Sequence, residues 1–237
     1  GFRPVVFELP VGTGAEGSVP PCRIPTGDGH TVSLRGTVDR LDAWQDGDVT
    51  YVRVVDYKTG AKKFSADDVS IGVNTQLLIY LFSVLNSPPG AFRSALSGSP
   101  NGKLAPAGAL YVSARPGETS SDVMLSPEDA AAAAEASIDR TGFLTSDETV
   151  LRKMERALAG RYLPVREQAG TLSGGVLLDA DGMASLEAEL NETIARIGRE
   201  LCAGGAEASP LALHGKNPCD WCAMRTICRA ARGKEDL

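Results

Sequence analysis

The chain has 237 residues, 43% of them hydrophobic, and a formal charge of −6. That length buries a substantial core as one domain, or as one domain with an appendage; no apolar run is long enough to cross a membrane and no signal-peptide pattern opens the chain, so a soluble cytoplasmic protein is expected. The acidic balance works against a free-standing nucleic-acid binder, whose affinity rests on neutralising phosphates with Lys and Arg. Either basic residues cluster locally, at Arg35, Arg40, Arg53, Lys58, Lys62 and Lys63, or another polypeptide supplies most of the grip.

Pro4 to Leu9 reads as a short buried strand, and Gly12 to Pro21 has loop composition. Glu8 on that strand reads as a structural or edge carboxylate. Two runs rich in β-branched residues, Thr31 to Trp44 and Val49 to Tyr57, flank Gln45-Asp46-Gly47-Asp48, which signals an antiparallel hairpin. With Asp46-Gly47 as the loop, Asp39 falls opposite Val54 and diagonal to Asp56; with Gly47-Asp48, Asp39 falls opposite Asp56. Either register puts both carboxylates on one face, and Lys58, two residues from Asp56, shares it.

Ser65-Ala66-Asp67-Asp68 offers a helix start, and Leu77, Leu78, Leu81, Val84 and Leu85 form a stripe that ends at Ser87-Pro88-Pro89-Gly90. This helix is expected to pack across the sheet and to bring Gln76 and Tyr80, four apart on one helix face, towards the acids. Residues 91 to 106 read as a loop with one short helix, and Ala107 to Ala114 as a strand. Ser126-Pro127-Glu128-Asp129 opens an alanine-rich helix short of apolar anchors. Thr141 to Val165 is expected to be helix, then loop; Thr171 to Leu178 a short strand or extended loop. A long amphipathic helix runs from about Met183 to Cys202 and stops at Gly204-Gly205. There is no internal repeat and no P-loop pattern.

Two carboxylates meeting at a strand end make an oxygen-only site suited to Mg²⁺ or Mn²⁺, with Lys58 as a compact cation beside it. Such a patch suits phosphodiester hydrolysis. An Asp-x-Lys alone is more often a solvated ion pair. Near the C-terminus, Cys219, Cys222 and Cys228 are spaced C-x2-C-x5-C, which in a cytosolic chain favours metal ligation over disulfides. His214, five residues before Cys219, leaves open a Cys3His zinc site. His30 reads as a turn residue.

The set Gly36-x-x-Asp39-Arg40-x-Asp42, Asp56-Tyr57-Lys58-Thr59-Gly60, then Gln76 and Tyr80 resembles the RecB-type nuclease domains of the PD-(D/E)XK superfamily. The resemblance implies an α/β fold with a restriction-endonuclease-like central mixed sheet flanked by helices. It implies Asp39 and Asp56 as metal ligands, the Tyr57 carbonyl as a further ligand, Lys58 as the residue assisting the chemistry, and Gln76 and Tyr80 as residues positioning DNA or Lys58.

The cysteine spacing, with Ala107-Gly108-Ala109-Leu110-Tyr111 and Gly142-Phe143-Leu144, resembles the C-terminal part of the AddB component of bacterial AddAB-type ATP-dependent helicase-nucleases. There, three such cysteines and one far upstream hold a [4Fe-4S] cluster. The resemblance implies one RecB-like nuclease domain over 1–237, a piece of a larger polypeptide, with 206–237 as an iron-sulfur staple whose fourth ligand lies upstream of this chain. Neither Cys22 nor Cys202 matches that ligand's place. It further implies a Mg²⁺- or Mn²⁺-dependent deoxyribonuclease (exonuclease) that cuts one strand of an unwound duplex during double-strand-break repair by homologous recombination. The implied partners are DNA and an AddA-like helicase-nuclease that carries the ATP site and forms a heterodimer with it. Two other readings are an inactive DNA-binding or structural module and a zinc-stapled structural domain; the joint presence of Asp39, Asp56 and Lys58 weighs against the first.

Overall fold

The computed structural model describes residues 1–15, 17–60, 62–115, 124–205, 207–212 and 217–228. Its strands are β1 (Arg3–Val11), β2 (Cys22–Pro25), β3 (Thr31–Leu34), β4 (Gly36–Asp46), β5 (Val49–Lys58), β6 (Lys103–Ser113), β7 (Arg140–Thr145), β8 (Arg166–Gln168), β9 (Thr171–Ser173) and β10 (Val176–Leu178). Its helices are α1 (Gln76–Leu85), α2 (Ala91–Ser97), α3 (Pro127–Ala136), α4 (Glu148–Met154) and α5 (Ala180–Cys202). The chain divides into two compact units, Gly1–Gly198 and Arg199–Leu237.

The larger unit is built on a six-stranded mixed sheet in the order β1-β4-β5-β6-β7-β10. The β4–β5 hairpin is antiparallel, β5 pairs with β6 in parallel, β6 with β7 antiparallel, and β7 with β10 in parallel. Helices flank this sheet, as a restriction-endonuclease-like α/β fold requires. One face is covered by α1 and α5: Leu77, Leu78 and Leu81 pack with Leu41, Val54, Ala109 and Phe143 of the sheet and with Met183, Leu186 and Leu190 of α5. Each such buried aliphatic side chain contributes roughly 1.5–3 kcal/mol. The other face carries a smaller cluster, Leu110 and Leu144 against Leu151 of α4 and Leu158, Leu163 and Val165 of the following loop.

At the junction of β6 and β7 the strands approach too closely for side chains at two positions. A Cβ on Gly108 would lie 2.4 Å from the Phe143 carbonyl oxygen, and one on Gly142 would lie 2.1 Å from that of Ala109. The two glycines of the Ala-Gly-Ala-Leu-Tyr and Gly-Phe-Leu segments are therefore reciprocal requirements of one strand contact.

Several expected elements differ. The run Thr31 to Trp44 is two strands: β3 pairs with β2 in a separate two-stranded sheet, and only from Gly36 onward does β4 join the main sheet. The first strand is not buried as a whole, because β1 is an edge strand; Leu9 and Val11 are buried while Phe7 is 62% exposed. Helix α1 starts at Gln76 and not near Ser65, since Gly72 (φ 82) and Asn74 (φ 59) interrupt a helical path after the short turn Val69–Ile71. The strand expected from Ala107 begins four residues earlier, at Lys103. The helix expected from Thr141 is instead β7 followed by α4, because Gly142 and its neighbours complete the ladder with β6. Helix α3 starts as read, with Ser126 accepting from the Asp129 N–H at 3.1 Å, and it buries no residue.

Candidate metal centre

The hairpin turns at Gly47-Asp48, with Asp46 opposite Val49, and the register holds to Arg40 opposite Val55. The ladder then stops one residue short of an Asp39–Asp56 pair. Below this level the inward residues are Gly36 and Val38, above it Leu41 and Ala43, so the side-chain alternation of β4 changes phase at Asp39. On the neighbouring strand Glu8, level with Asp39, takes φ 50. Local irregularities of this kind re-aim a side chain where a strand pair ends. Asp39 uses its freedom to accept the Tyr57 backbone N–H at 2.8 Å, replacing a ladder bond with a carboxylate. Neither simple register therefore describes Asp39 fully.

Asp56 is 1% exposed. Its Oδ2 lies 2.6 Å from Lys58 Nζ as an ion pair, without the alignment of a hydrogen bond, so the buried oxygen has no hydrogen-bond partner. Lys58 donates to Gln76 Oε1 at 2.9 Å, and Gln76 Nε2 donates to the Tyr80 hydroxyl at 3.2 Å. Tyr80 in turn rests on Gly36, where a Cβ would come within 2.8 Å of the ring. The first glycine of the Gly-x-x-Asp motif is thus the floor under the tyrosine of the Gln-x-x-x-Tyr motif. The structure brings Asp56, Lys58, Gln76 and Tyr80 into one chain of contacts, with Asp39 tied to Tyr57 between them.

Burial pushes the Asp56 carboxyl up from its ordinary value, the Lys58 ammonium opposes this, and the charge of Asp39 adds to the rise. The two acids therefore act on one another electrostatically. Tyr111, beneath them, is pushed up to about 12, first by burial and then by Asp56, and stays protonated at neutral pH. Lys58 and Lys62 both approach its ring, at 5.5 and 5.8 Å from the centroid, and Lys62 also acts on Asp56. Lys62 is held where the Thr141 hydroxyl donates to its carbonyl at 2.8 Å. Neither Tyr111 nor Lys62 belongs to the expected site, and no spacing rule links them to it; a lysine two residues past Gly60 is the sole cue.

Two hard carboxylates, one with a buried unpartnered oxygen, suit a small divalent cation that takes its remaining ligands from water and substrate. Among the described residues no three His, Cys, Asp or Glu side chains converge as a ligand group. The acids thus stand as a pair, and Cys219, Cys222 and Cys228 are not gathered with one another. In the smaller unit, Cys219 lies in the turn Pro218–Trp221, where Asn217 accepts its N–H at 2.9 Å, and Cys228 donates its N–H to the Met224 carbonyl at 2.8 Å. All five cysteines are free thiols. His214 lies outside the described residues.

The other face of the hairpin is built differently. Asp42, also 1% exposed, receives hydrogen bonds from Arg40 (3.1 Å) and Arg53 (2.5 and 3.2 Å), and Arg40 also donates to the Tyr57 hydroxyl. The basic residues expected to cluster are thus divided: Lys58 and Lys62 beside Asp56, Arg40 and Arg53 behind the sheet.

Among the described residues no helix is long and apolar enough to cross a membrane. The B subunit of the ATP-dependent helicase/deoxyribonuclease of Clostridium botulinum (strain Hall) is 30% identical to this chain over 233 residues, which cover 96% of it and 19% of that protein. The protein of the same name from Symbiobacterium thermophilum is 30% identical over 232 residues, with 96% and 19% covered, and the one from Clostridium acetobutylicum 28% identical over 231 residues. The chain spans about a fifth of the length of the curated relatives it matches. The profile of the PD-(D/E)XK nuclease superfamily matches residues 1–229, through the sheet, α1 and the cysteines of the tail. With that match and the Asp56-x-Lys58 pair on the hairpin, the chain belongs to the PD-(D/E)XK nuclease superfamily.

Proposed function

We propose that this chain is the deoxyribonuclease domain of an AddB-like component of an ATP-dependent helicase-nuclease, and that it hydrolyses phosphodiester bonds in one strand of DNA with Mg²⁺ or Mn²⁺. Asp39 and Asp56 would hold the ion, with the Tyr57 carbonyl as the further protein ligand. When bound, such an ion polarises the phosphodiester and acidifies a water. Water oxygen adds to phosphorus, the bond to the leaving oxygen breaks, and the proton lost by the water ends on that oxygen. Lys58 keeps a compact positive charge beside the phosphoryl group as its negative charge grows. Gln76 fixes the ammonium through Oε1, and Tyr80 fixes Gln76.

The observation that carries this reading is the contact chain Asp56–Lys58–Gln76–Tyr80, which puts one lysine in ion-pair contact with a buried acid and holds that lysine from the far side. Digestion of single-stranded DNA by the wild type and by Lys58→Ala, with and without Mg²⁺, tests it. Metal-dependent cleavage in the wild type and a large loss in the variant are expected; equal rates end the reading.

In the same reading Cys219, Cys222 and Cys228 supply three thiolates to a [4Fe-4S] cluster, with the fourth ligand from outside this chain. The partner is an AddA-like helicase-nuclease, and the setting is cytoplasmic double-strand-break repair by homologous recombination. The C-x2-C-x5-C spacing and the names of the relatives support this. Metal analysis of the full-length protein purified without oxygen should find iron and labile sulfide in equal amounts; zinc without iron ends the cluster assignment.

A further inference from the structure

On the sheet face that carries Asp42 lies a cavity of about 390 Å³, bounded by Arg40, Arg53, Arg140, Tyr57 and Tyr162. Its base is apolar, made by Val55 of β5 with its in-register neighbour Leu110 of β6, and by Val112, which is in register with Tyr57. Three guanidiniums line it and no carboxylate does. Asp42, beside Arg40 and Arg53, balances one of those two charges. Arg140 donates to the Ile138 carbonyl at 2.8 Å, which uses one of the five donors of a guanidinium. Glu135 and Glu155 act on Arg140 from outside the cavity. Glu135 pairs with Arg161, whereas Glu155 accepts the backbone N–H groups of Ala159, Arg161, Tyr162 and Leu163 at 2.9–3.1 Å, neutral donors that leave its charge to offset one guanidinium. Three guanidiniums against Asp42 and Glu155 leave one positive charge in surplus at the cavity.

Two of its walls are aromatic and half open to solvent, Tyr57 at 41% and Tyr162 at 46% exposure. Tyr162 is not on a loose loop, because its N–H donates at 2.9 Å to buried Glu155, which orders the whole turn around itself. Guanidiniums recognise phosphate through paired N–H donors. Nucleobases stack on tyrosine with little regard to sequence. The volume falls within the roughly 300–1,000 Å³ of small-ligand pockets.

We propose that this cavity binds one nucleotide unit, with its phosphate on Arg53 and Arg140 and its base against Tyr162. The site lies on the sheet face away from Asp56 and does not rest on the nuclease reading. Its ligand has two sources, a free mononucleotide or one residue of a strand.

The test is a titration of the full 237-residue chain in EDTA with thymidine 5′-monophosphate, thymidine, inorganic phosphate and a thymidine tetranucleotide. The monophosphate should bind at least about tenfold more tightly than thymidine or phosphate alone, and Arg140→Gln and Tyr162→Ala should each weaken it roughly tenfold. A tetranucleotide that binds more tightly than the monophosphate, and is weakened by the same changes, identifies a strand as the occupant; equal affinities identify a free nucleotide. Unchanged affinity in both variants, with their melting temperatures intact, overturns the proposal, as does phosphate binding as well as the nucleotide. If Arg140→Gln does not fold, Tyr162→Ser carries the test, because Glu155 holds the backbone of residue 162 and not its ring. Working without divalent metal keeps failure here separate from failure of the proposed cleavage.

Discussion

The β4–β5 hairpin buries two aspartates to the same degree, and its two faces treat them in opposite ways. Asp42 receives three hydrogen bonds from two guanidiniums, so the back of the sheet surrounds one anion with two fixed cations. Asp56 has one lysine in ion-pair contact, shared with an amide, a second, Lys62, acting from further off, and a second acid whose charge works against it. The same residue type on paired strands is thus over-neutralised on one face and under-neutralised on the other. A buried acid left short of positive charge is costly unless a further cation arrives, and such imbalance marks functional sites more often than structural ones.

Replacing each acid by its amide should separate the faces. For Asp56→Asn we expect Mg²⁺-dependent cleavage to fall by about 10³-fold, ~4 kcal/mol of barrier, while the melting temperature holds or rises because the buried charge is gone. Wild-type cleavage, or a marked drop in melting temperature, would erase the contrast. Asp42→Asn should do the reverse, lowering the free energy of unfolding in urea by about 3 kcal/mol as two guanidiniums lose their shared anion. A change within error would make the back-face cluster as dispensable as a surface pair.

Glu155 sharpens the comparison, since it is a buried acid satisfied by backbone alone. Burial pushes its carboxyl up, and four N–H groups together outweigh that and hold it below the ordinary 4.5. The anion's contribution is therefore complete above about pH 4.5 and disappears as pH falls through the lower, folded-state value. Glu155→Gln should cost about 2 kcal/mol at pH 7 and flatten the acid limb of a stability-against-pH curve; an unchanged limb refutes it. The smallest effect is expected at Gly36→Ala, whose new methyl displaces Tyr80 and, through Gln76, loosens Lys58. We expect kcat to drop about tenfold, ~1.4 kcal/mol, with KM nearly constant, and a change confined to KM would contradict the relay.

What was legible in the sequence was local. Asp46-Gly47-Asp48 between β-branched runs announces its own hairpin, and Gln76 with Tyr80 announces one helix face, because those signals lie within a few residues of each other. What was not legible depended on partners far along the chain. The phase change at Asp39 goes with the strained Glu8 on a separate strand. The strand β7 hid inside an apparent helix, because its six residues make sense only when Gly142 meets Ala109 and Leu110 of β6. The Arg40–Asp42–Arg53 cluster needs the register of two strands before its members face each other. Tyr111 and Lys62 enter the site through ring contacts that no short spacing encodes.

The seating of Tyr80 on Gly36 ties two motifs that lie 44 positions apart. Helix α1 is therefore not a free-standing cassette: grafted onto a β4 that opens with alanine, its Tyr80 ring would meet the new methyl, so the two positions must travel together. Anyone re-engineering this nuclease fold should treat residues 36 and 80 as one inherited unit.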